Sequence, residues 1–268
     1  MSQDEINTMK QVVNNYNINF ESINAGEYIF KHLLFSAVTG LPMSENLILA
    51  STRLLMRRII NIAKHFQYFT DLPSRLQELL LKHNVYMAAG LRATCFQSHK
   101  VVCQIMYVLG KEEREAGEEM IQKVLKSEVA SRKDFTLRHA QHFTTLQKYM
   151  SPQDVERIQL LAPKINSKLA YDKNIVVLLS HVVLFCTDFH NEYISSADKK
   201  LIEKTQEKLV LMVQRYLYAT YPQGMARLGF SKVMETLIEI REASTIKMHA
   251  DEKLRIKSEV SATTFSEN

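Results

Sequence analysis

Between Leu55 and Lys82 the chain carries two helical faces joined by a corner, and that corner restricts the fold more than any other stretch. Leu55, Ile59, Ile62, Phe66 and Phe69 recur three or four residues apart, so they share one face of a helix that must be covered by partners. Thr70-Asp71-Leu72-Pro73-Ser74 interrupts the period with a local hydrogen-bonding residue, a proline suited to a first helical turn and a polar cap. Leu76, Leu79, Leu80 and Leu81 then restart it. Two helices meeting at a tight turn are expected, and periodicity alone makes them an ordinary corner of an all-α core, since period reports burial and not activity.

Composition agrees with long helices. Only 7 Gly and 5 Pro occur in 268 residues, of which 46% are hydrophobic, enough for a sizeable core with few turns. The net charge of +5, from 34 basic and 29 acidic residues spread along the chain, is too small an excess to argue for nucleic acid. Cys95, Cys103 and Cys186 sit in apolar surroundings without a CxxC or Cys/His cluster and read as buried thiols of a reducing compartment. The N-terminal MSQDEINTMK has no apolar core of a signal peptide, and no run approaches the roughly 20 apolar residues of a membrane span, so the chain reads as soluble and intracellular. No Ser/His/Asp set, catalytic carboxylate pair, phosphate-binding glycine loop or metal motif occurs, and an enzyme is not expected.

Along the chain, Ser2 and Glu5 have capping-box spacing ahead of Ile6, Met9, Val12 and Val13, which opens a first helix. Tyr28 to Val38 forms a short helix, Gly40-Leu41-Pro42 breaks it, and a long helix runs from about Ser44 to Phe66. The next runs from Pro73 to about Gln97, and Val101 to Val108 is β-branched and strand-like before Gly110. Amphipathic helices follow from Glu112 to Ala162, broken near Ser131 and at Ser151-Pro152-Gln153-Asp154. Residues 169–191 hold a mostly apolar helix, Lys200 to Thr220 a long one, and after Tyr221-Pro222-Gln223-Gly224 the pattern continues toward Lys253. The polar tail over 257–268 is expected to be frayed or disordered. Without repeat or low-complexity linker, residues 1–268 read as one domain.

Ala63, Lys64, Phe69, Leu72, Gln77, Leu80, Leu81 and Lys82 stand at the spacing of the nuclear hormone receptor ligand-binding domain signature, with Leu76 where that signature has Asp. On these residues the chain resembles that family, and its KLIEKTQEKL to FSKVMETLIEIRE stretch is most similar to the vitamin D receptor-type subgroup and its invertebrate relatives. The resemblance implies a three-layer antiparallel α-helical sandwich with a small two-stranded β-turn at 101–108. The family's zinc-bearing DNA-binding module would be absent from this chain. Asp188-Phe189-His190-Asn191 stands where relatives commonly carry Asp-Arg-Pro-Gly. Leu76-Gln77-Glu78-Leu79-Leu80 formally reads LxxLL, but its place inside the second helix of the corner assigns it to the core.

The resemblance makes Lys64 and Lys82 the positive ends of a groove that receives coregulator helices, with Phe69, Gln77 and Leu81 beside them. A lysine there can cap the last carbonyls of a docked helix. The bland alternative is two solvated lysines. The acidic partner would be a Glu on a final helix, for which Glu259 in Ile256-Lys257-Ser258-Glu259-Val260-Ser261 is the best, though poor, match.

Arg92 lies in the apolar stretch MAAGLRATCF, and a buried guanidinium must be paired or must face a ligand oxygen. Relatives use an Arg at this spacing for a ligand's polar group; an internal ion pair is the alternative. Ile48, Ser51, Thr52, Leu55, Met56 and Ile59, with Ala89 and Phe96, are candidates to line the same cavity, although each alone is more often core. His249 resembles a histidine that relatives direct at a ligand oxygen, or in the Rev-erb type at haem. Haem is disfavoured because no Cys precedes the long helix to supply a second axial ligand, and no other cofactor is expected.

The implied function is a ligand-regulated transcription factor domain of the nucleus, with shuttling to the cytoplasm compatible, that binds a small lipophilic, sterol- or fatty-acid-like molecule and recruits coregulator helices. It would dimerise through 200–220, with a retinoid X receptor-type partner or with itself, and would touch DNA only through another domain. A ligand-independent repressor module binding corepressors and a helical scaffold unrelated to receptors remain as alternatives.

Overall fold

A computed structural model describes residues 3–39, 41–94, 109–126, 144–169, 172–187 and 194–266. Among these residues the chain is all-α: α1 Gln3–Glu21, α2 Gly26–Thr39, α3 Glu45–Lys64, α4 Gln67–Thr70, α5 Ser74–Thr94, α6 Lys111–Lys126, α7 Thr144–Gln147, α8 Pro152–Leu169, α9 Lys173–Leu184, α10 Ser196–Thr220 and α11 Gln223–Ser266. The helices stop where the sequence supplies breakers, α2 before Leu41-Pro42 and α10 before Pro222. The strand-like run at 101–108, with the two-stranded turn expected there, lies outside the described residues, as do Ser131 and the Asp188-Phe189-His190-Asn191 stretch. Where a frayed tail is expected from 257, α11 continues to Ser266. That segment holds neither Gly nor Pro, and extending an existing helix adds about one hydrogen bond per residue fixed, whereas starting one is costly.

The chain divides into two compact units, each assembled from three stretches. One comprises Met1–Ile23, Met56–Cys95 and Lys164–Arg241, the other Asn24–Leu55, Phe96–Pro163 and Glu242–Asn268. Three of the five divisions fall inside α3, α8 and α11, where no linker composition could mark them.

The first unit is built around α9. Every residue from Ile175 to Leu184 is buried, so this helix has no solvent face, and it packs on α5, α10 and α1. Burying each Val, Leu or Ile contributes about 1.5–3 kcal/mol, which makes α9 the main apolar contributor of its unit. Its start is fixed by Asp172, whose carboxylate accepts from Asn174 N at 2.9 Å and Ile175 N at 3.4 Å and also from the Tyr216 and Tyr221 hydroxyls, each at 2.8 Å. One buried carboxylate thus joins the N-terminus of α9 to the end of α10. Burial, with the Asp172 carboxylate, pushes the Tyr216 phenol above its usual range against a hydrogen bond from Asn174. Lys168, at the end of α8, meets Glu235 at 2.8 Å and Glu239 at 3.0 Å on α11.

In the second unit α2 packs on α6. The Glu113 carboxylate accepts from Ala25 N at 2.8 Å and Gly110 N at 3.0 Å, tying together the residues just before both helices. Gly26 opens α2 at φ +81°, a backbone state that other residues enter only with strain. Ile48, Leu49 and Leu254 form a buried cluster, with Met43, Leu146 and Tyr149 packed against it.

Candidate functional site

The corner is present, but the apolar period is not one helix face: α3 carries Leu55, Ile59 and Ile62 and stops at Lys64, Phe66 is extended, and Phe69 lies on α4. Leu55, Ile59, Ile62, Phe66 and Phe69 are all buried, as are Leu72, Leu76 and Leu80, while Leu79 and Leu81 are half-buried. After α3 the chain closes two tight turns, His65 N donating to Ile62 O at 3.1 Å and Phe66 N to Ala63 O at 3.1 Å, and α4 follows directly. Past Pro73, whose missing N–H costs nothing at a helix start, Gln77 N and Leu76 N both donate to Pro73 O. The Gln77 side chain then reaches back, donating from Nε2 to Leu72 O at 2.7 Å and Thr70 O at 3.2 Å. These carbonyls at the end of α4 have no helical partner of their own, so one amide fixes the angle between α4 and α5.

This distributes the expected groove residues into two kinds. Phe69 is 1% exposed, its ring centroid 5.9 Å from that of Phe185, and it belongs to the core beneath the corner. Gln77 acts as the corner's clamp. Lys64, the last residue of α3, and Lys82, in α5, are exposed and make no ion pair among the described residues, while Leu81 is half-buried between α5's buried and exposed faces. Glu259 lies on α11, and its side chain is outside the described residues.

Beneath the corner sits His181, buried against the Phe66 and Tyr16 rings. Its ring centroid is 4.3 Å from that of Phe66 and 5.6 Å from that of Tyr16. Because Nδ1 faces the Val177 carbonyl at 2.9 Å, it must carry the proton. Burial pushes its pKa down to about 4, opposed by that hydrogen bond, so the ring is neutral at physiological pH.

Of the expected ligand residues, Met56, Ile59, Ala89 and Arg92 belong to the first unit. Ile59 and Ala89 are buried, Met56 half-buried. Arg92, 5% exposed, holds its guanidinium carbon 4.1 Å from the Phe20 ring centroid and 5.8 Å from that of Tyr16, both on α1. Sequence reasoning passed over Arg58. It is 0% exposed, lies 4.7 Å from the same Phe20 ring, and donates from Nε to Ile23 O at 2.8 Å and from Nη2 to the same oxygen. The signal was present, for Arg58 falls three residues after Leu55 on the buried face. A single aromatic ring on α1 therefore carries two buried guanidiniums, an arrangement stabilised by cation–π attraction in a desolvated setting.

Ile48, Ser51, Thr52, Leu55 and His249 belong to the second unit. Ile48 joins the Leu49 and Leu254 cluster, and Thr52 donates to Asp251 Oδ2 at 3.2 Å. Ser51 is 4% exposed and its hydroxyl has no hydrogen-bond partner among the described residues. His249 is exposed on α11, and Phe96 lies outside the described residues. In the same unit Tyr149 donates its hydroxyl to Glu45 Oε1, and Lys257 reaches that oxygen at 3.2 Å and the Tyr149 hydroxyl at 2.9 Å. The Tyr149 hydrogen bond and the Lys257 ammonium hold the Glu45 carboxyl below its usual range despite some burial.

Among the described residues no group of three or more His, Cys, Asp or Glu could hold a metal ion, and no helix is long and apolar enough to cross a membrane. No protein-family model matches the chain, and no curated protein matches it in sequence.

Proposed function

We propose that this chain is a nuclear-receptor-type ligand-binding domain, with that family's three-layer α-helical sandwich, which receives a small lipophilic ligand and presents the α3–α4–α5 corner to coregulator helices. One observation supports the reading: the signature residues form a helical corner, with Gln77 clamping it and the Lys64 and Lys82 side chains left in solvent. Exposed ammonium groups beside a partly apolar strip suit the C-terminal carbonyls and dipole of an LxxLL-type helix. Arg92 supplies the polar end for a ligand carrying a hydroxyl, keto or carboxylate group. The domain would act in the nucleus as part of a transcription factor, reach DNA through a separate module, and pair with a retinoid X receptor-type partner or a second copy through 200–220.

A second reading, a ligand-independent repressor module, draws support from the seat of Arg92. Its guanidinium is already stacked on Phe20 and Tyr16, which is how side chains would occupy a ligand's polar end. The unbroken run of α11 to Ser266 supports it too, since an activating surface needs a separate final helix. Fluorescence polarisation with labelled coactivator and corepressor helices tests both readings. Binding of either class, weakened at least about tenfold in Lys64→Glu, supports the corner as the docking site; corepressor binding alone favours the repressor. Failure of both classes to bind the folded chain would leave a helical scaffold.

A further inference from the structure

A surface groove of about 390 Å³ in the first unit lies between α1, α4 and α10. It is lined by Thr8, Tyr68, Leu211 and Met212, and by the charged residues Glu5, Lys208 and Arg215. Lys208, Leu211, Met212 and Arg215 recur at positions i, i+3, i+4 and i+7, so α10 turns one continuous face to it. Leu211 remains 38% exposed on that face although nothing polar accounts for it.

The charges in the groove are unevenly committed. Arg215 is tied to Glu5 by an ion pair that joins α10 to α1 and cancels both charges. Lys208 has no carboxylate among the described residues; its ammonium lies 5.9 Å from the Tyr68 ring centroid, at the outer limit of a cation–π contact. The groove thus combines apolar walls, one aromatic ring and a net single positive charge, within the roughly 300–1,000 Å³ range of small-molecule sites.

We propose that this groove binds a small amphipathic anion, a carboxylate on an aryl or short alkyl body. The Lys208 ammonium receives the carboxylate, and Tyr68, Leu211 and Met212 cover the body. A charge-assisted hydrogen bond to a group with no competing acid gives the carboxylate its preference over a neutral head. The site shares no residue with the corner clamp or with Arg92, but Lys208, Leu211, Met212 and Arg215 lie in the 200–220 segment proposed for pairing, so the groove is a site of the unpaired chain.

Titration of 4-(4-fluorophenyl)butanoate into the full chain, followed by ¹⁹F NMR, tests the inference. The expected result is saturable binding that weakens about tenfold for the neutral carboxamide analogue and for Lys208→Glu, is retained in Lys208→Arg, and falls in Tyr68→Ala. Lys208 is exposed, so its variants keep the fold, which circular dichroism verifies. Absence of saturable binding up to about 10 mM would overturn the proposal, as would binding that is indifferent to head-group charge, or that survives both Lys208→Glu and Tyr68→Ala and so occurs elsewhere on the chain.

Discussion

The corner at 62–82 and the polar clasp of Glu45, Tyr149 and Lys257 both hold helices in place, but by opposite means. At the corner, buried rings beneath and a single amide above act between residues close in sequence: Gln77 reaches five residues back to Leu72 and seven back to Thr70. In the clasp, Tyr149 and Lys257 come from 104 and 212 residues away in sequence to meet Glu45. Interactions between residues close in sequence need little loop closure, and the neutral Gln77 amide and the rings beneath it are not screened by salt, while exposed charge pairs between distant residues contribute little and vary with ionic strength. The corner is therefore expected to respond to salt less than the clasp that holds α11 to Glu45.

That contrast can be broken most forcefully at Phe69. Phe69→Ala empties a core position under the corner and should lower unfolding free energy by about 3–5 kcal/mol in a denaturant titration; a loss below about 1 kcal/mol would mean that the ring is not a core element.

The next largest effect is one of pH. In the unfolded chain the His181 imidazole titrates near 6.5, and in the fold burial holds it at about 4. Between those values the unfolded state takes up a proton that the folded state refuses. Stability is therefore full above about pH 6.5 and falls as pH drops toward 4, by up to about 3 kcal/mol. His181→Gln should flatten the profile in that window, and an unchanged slope would place its origin in other groups.

Smaller effects separate the clamp from the clasp. Gln77→Leu leaves the carbonyls of Leu72 and Thr70 without their side-chain donor and should cost about 1–2 kcal/mol, independent of salt. Lys257→Ala removes an exposed ammonium and should leave the unfolding midpoint unchanged while speeding amide exchange near the end of α11 at low ionic strength. A reversal of this order would show that the clasp, not the corner, fixes the helices.

Much of the corner was legible in the sequence because its determinants repeat at helical spacing. Leu55, Ile59, Ile62, Phe66 and Phe69 are buried, as their apolar spacing indicates, whereas the N-cap at Asp172 was absorbed into a helix read from residue 169. What lay beyond reach depends on residues far apart along the chain. The second role of Asp172 rests on Tyr216 and Tyr221, 44 and 49 residues on, and no local pattern announces it. Arg58 was missed because a charged side chain is ordinarily assigned to solvent, although its register was that of the core.

The candidate site was legible unevenly. Lys64 and Lys82 stand exposed at the corner, but Phe69 and Gln77, which the resemblance set in the groove, serve as core and clamp, a distinction made by side-chain direction and hydrogen bonds rather than by position. His249, named only through the resemblance and at a longer spacing than relatives have, has an exposed side chain. Three of the five divisions between the two units fell inside continuous helices, where composition gives no sign.

The most direct test of the account is hydrogen–deuterium exchange of the whole chain with and without a saturating LxxLL helix. Slowed exchange concentrated over residues 62–82, and lost in Lys64→Glu, is the predicted result; protection elsewhere, or none despite binding, would contradict the corner as a docking site.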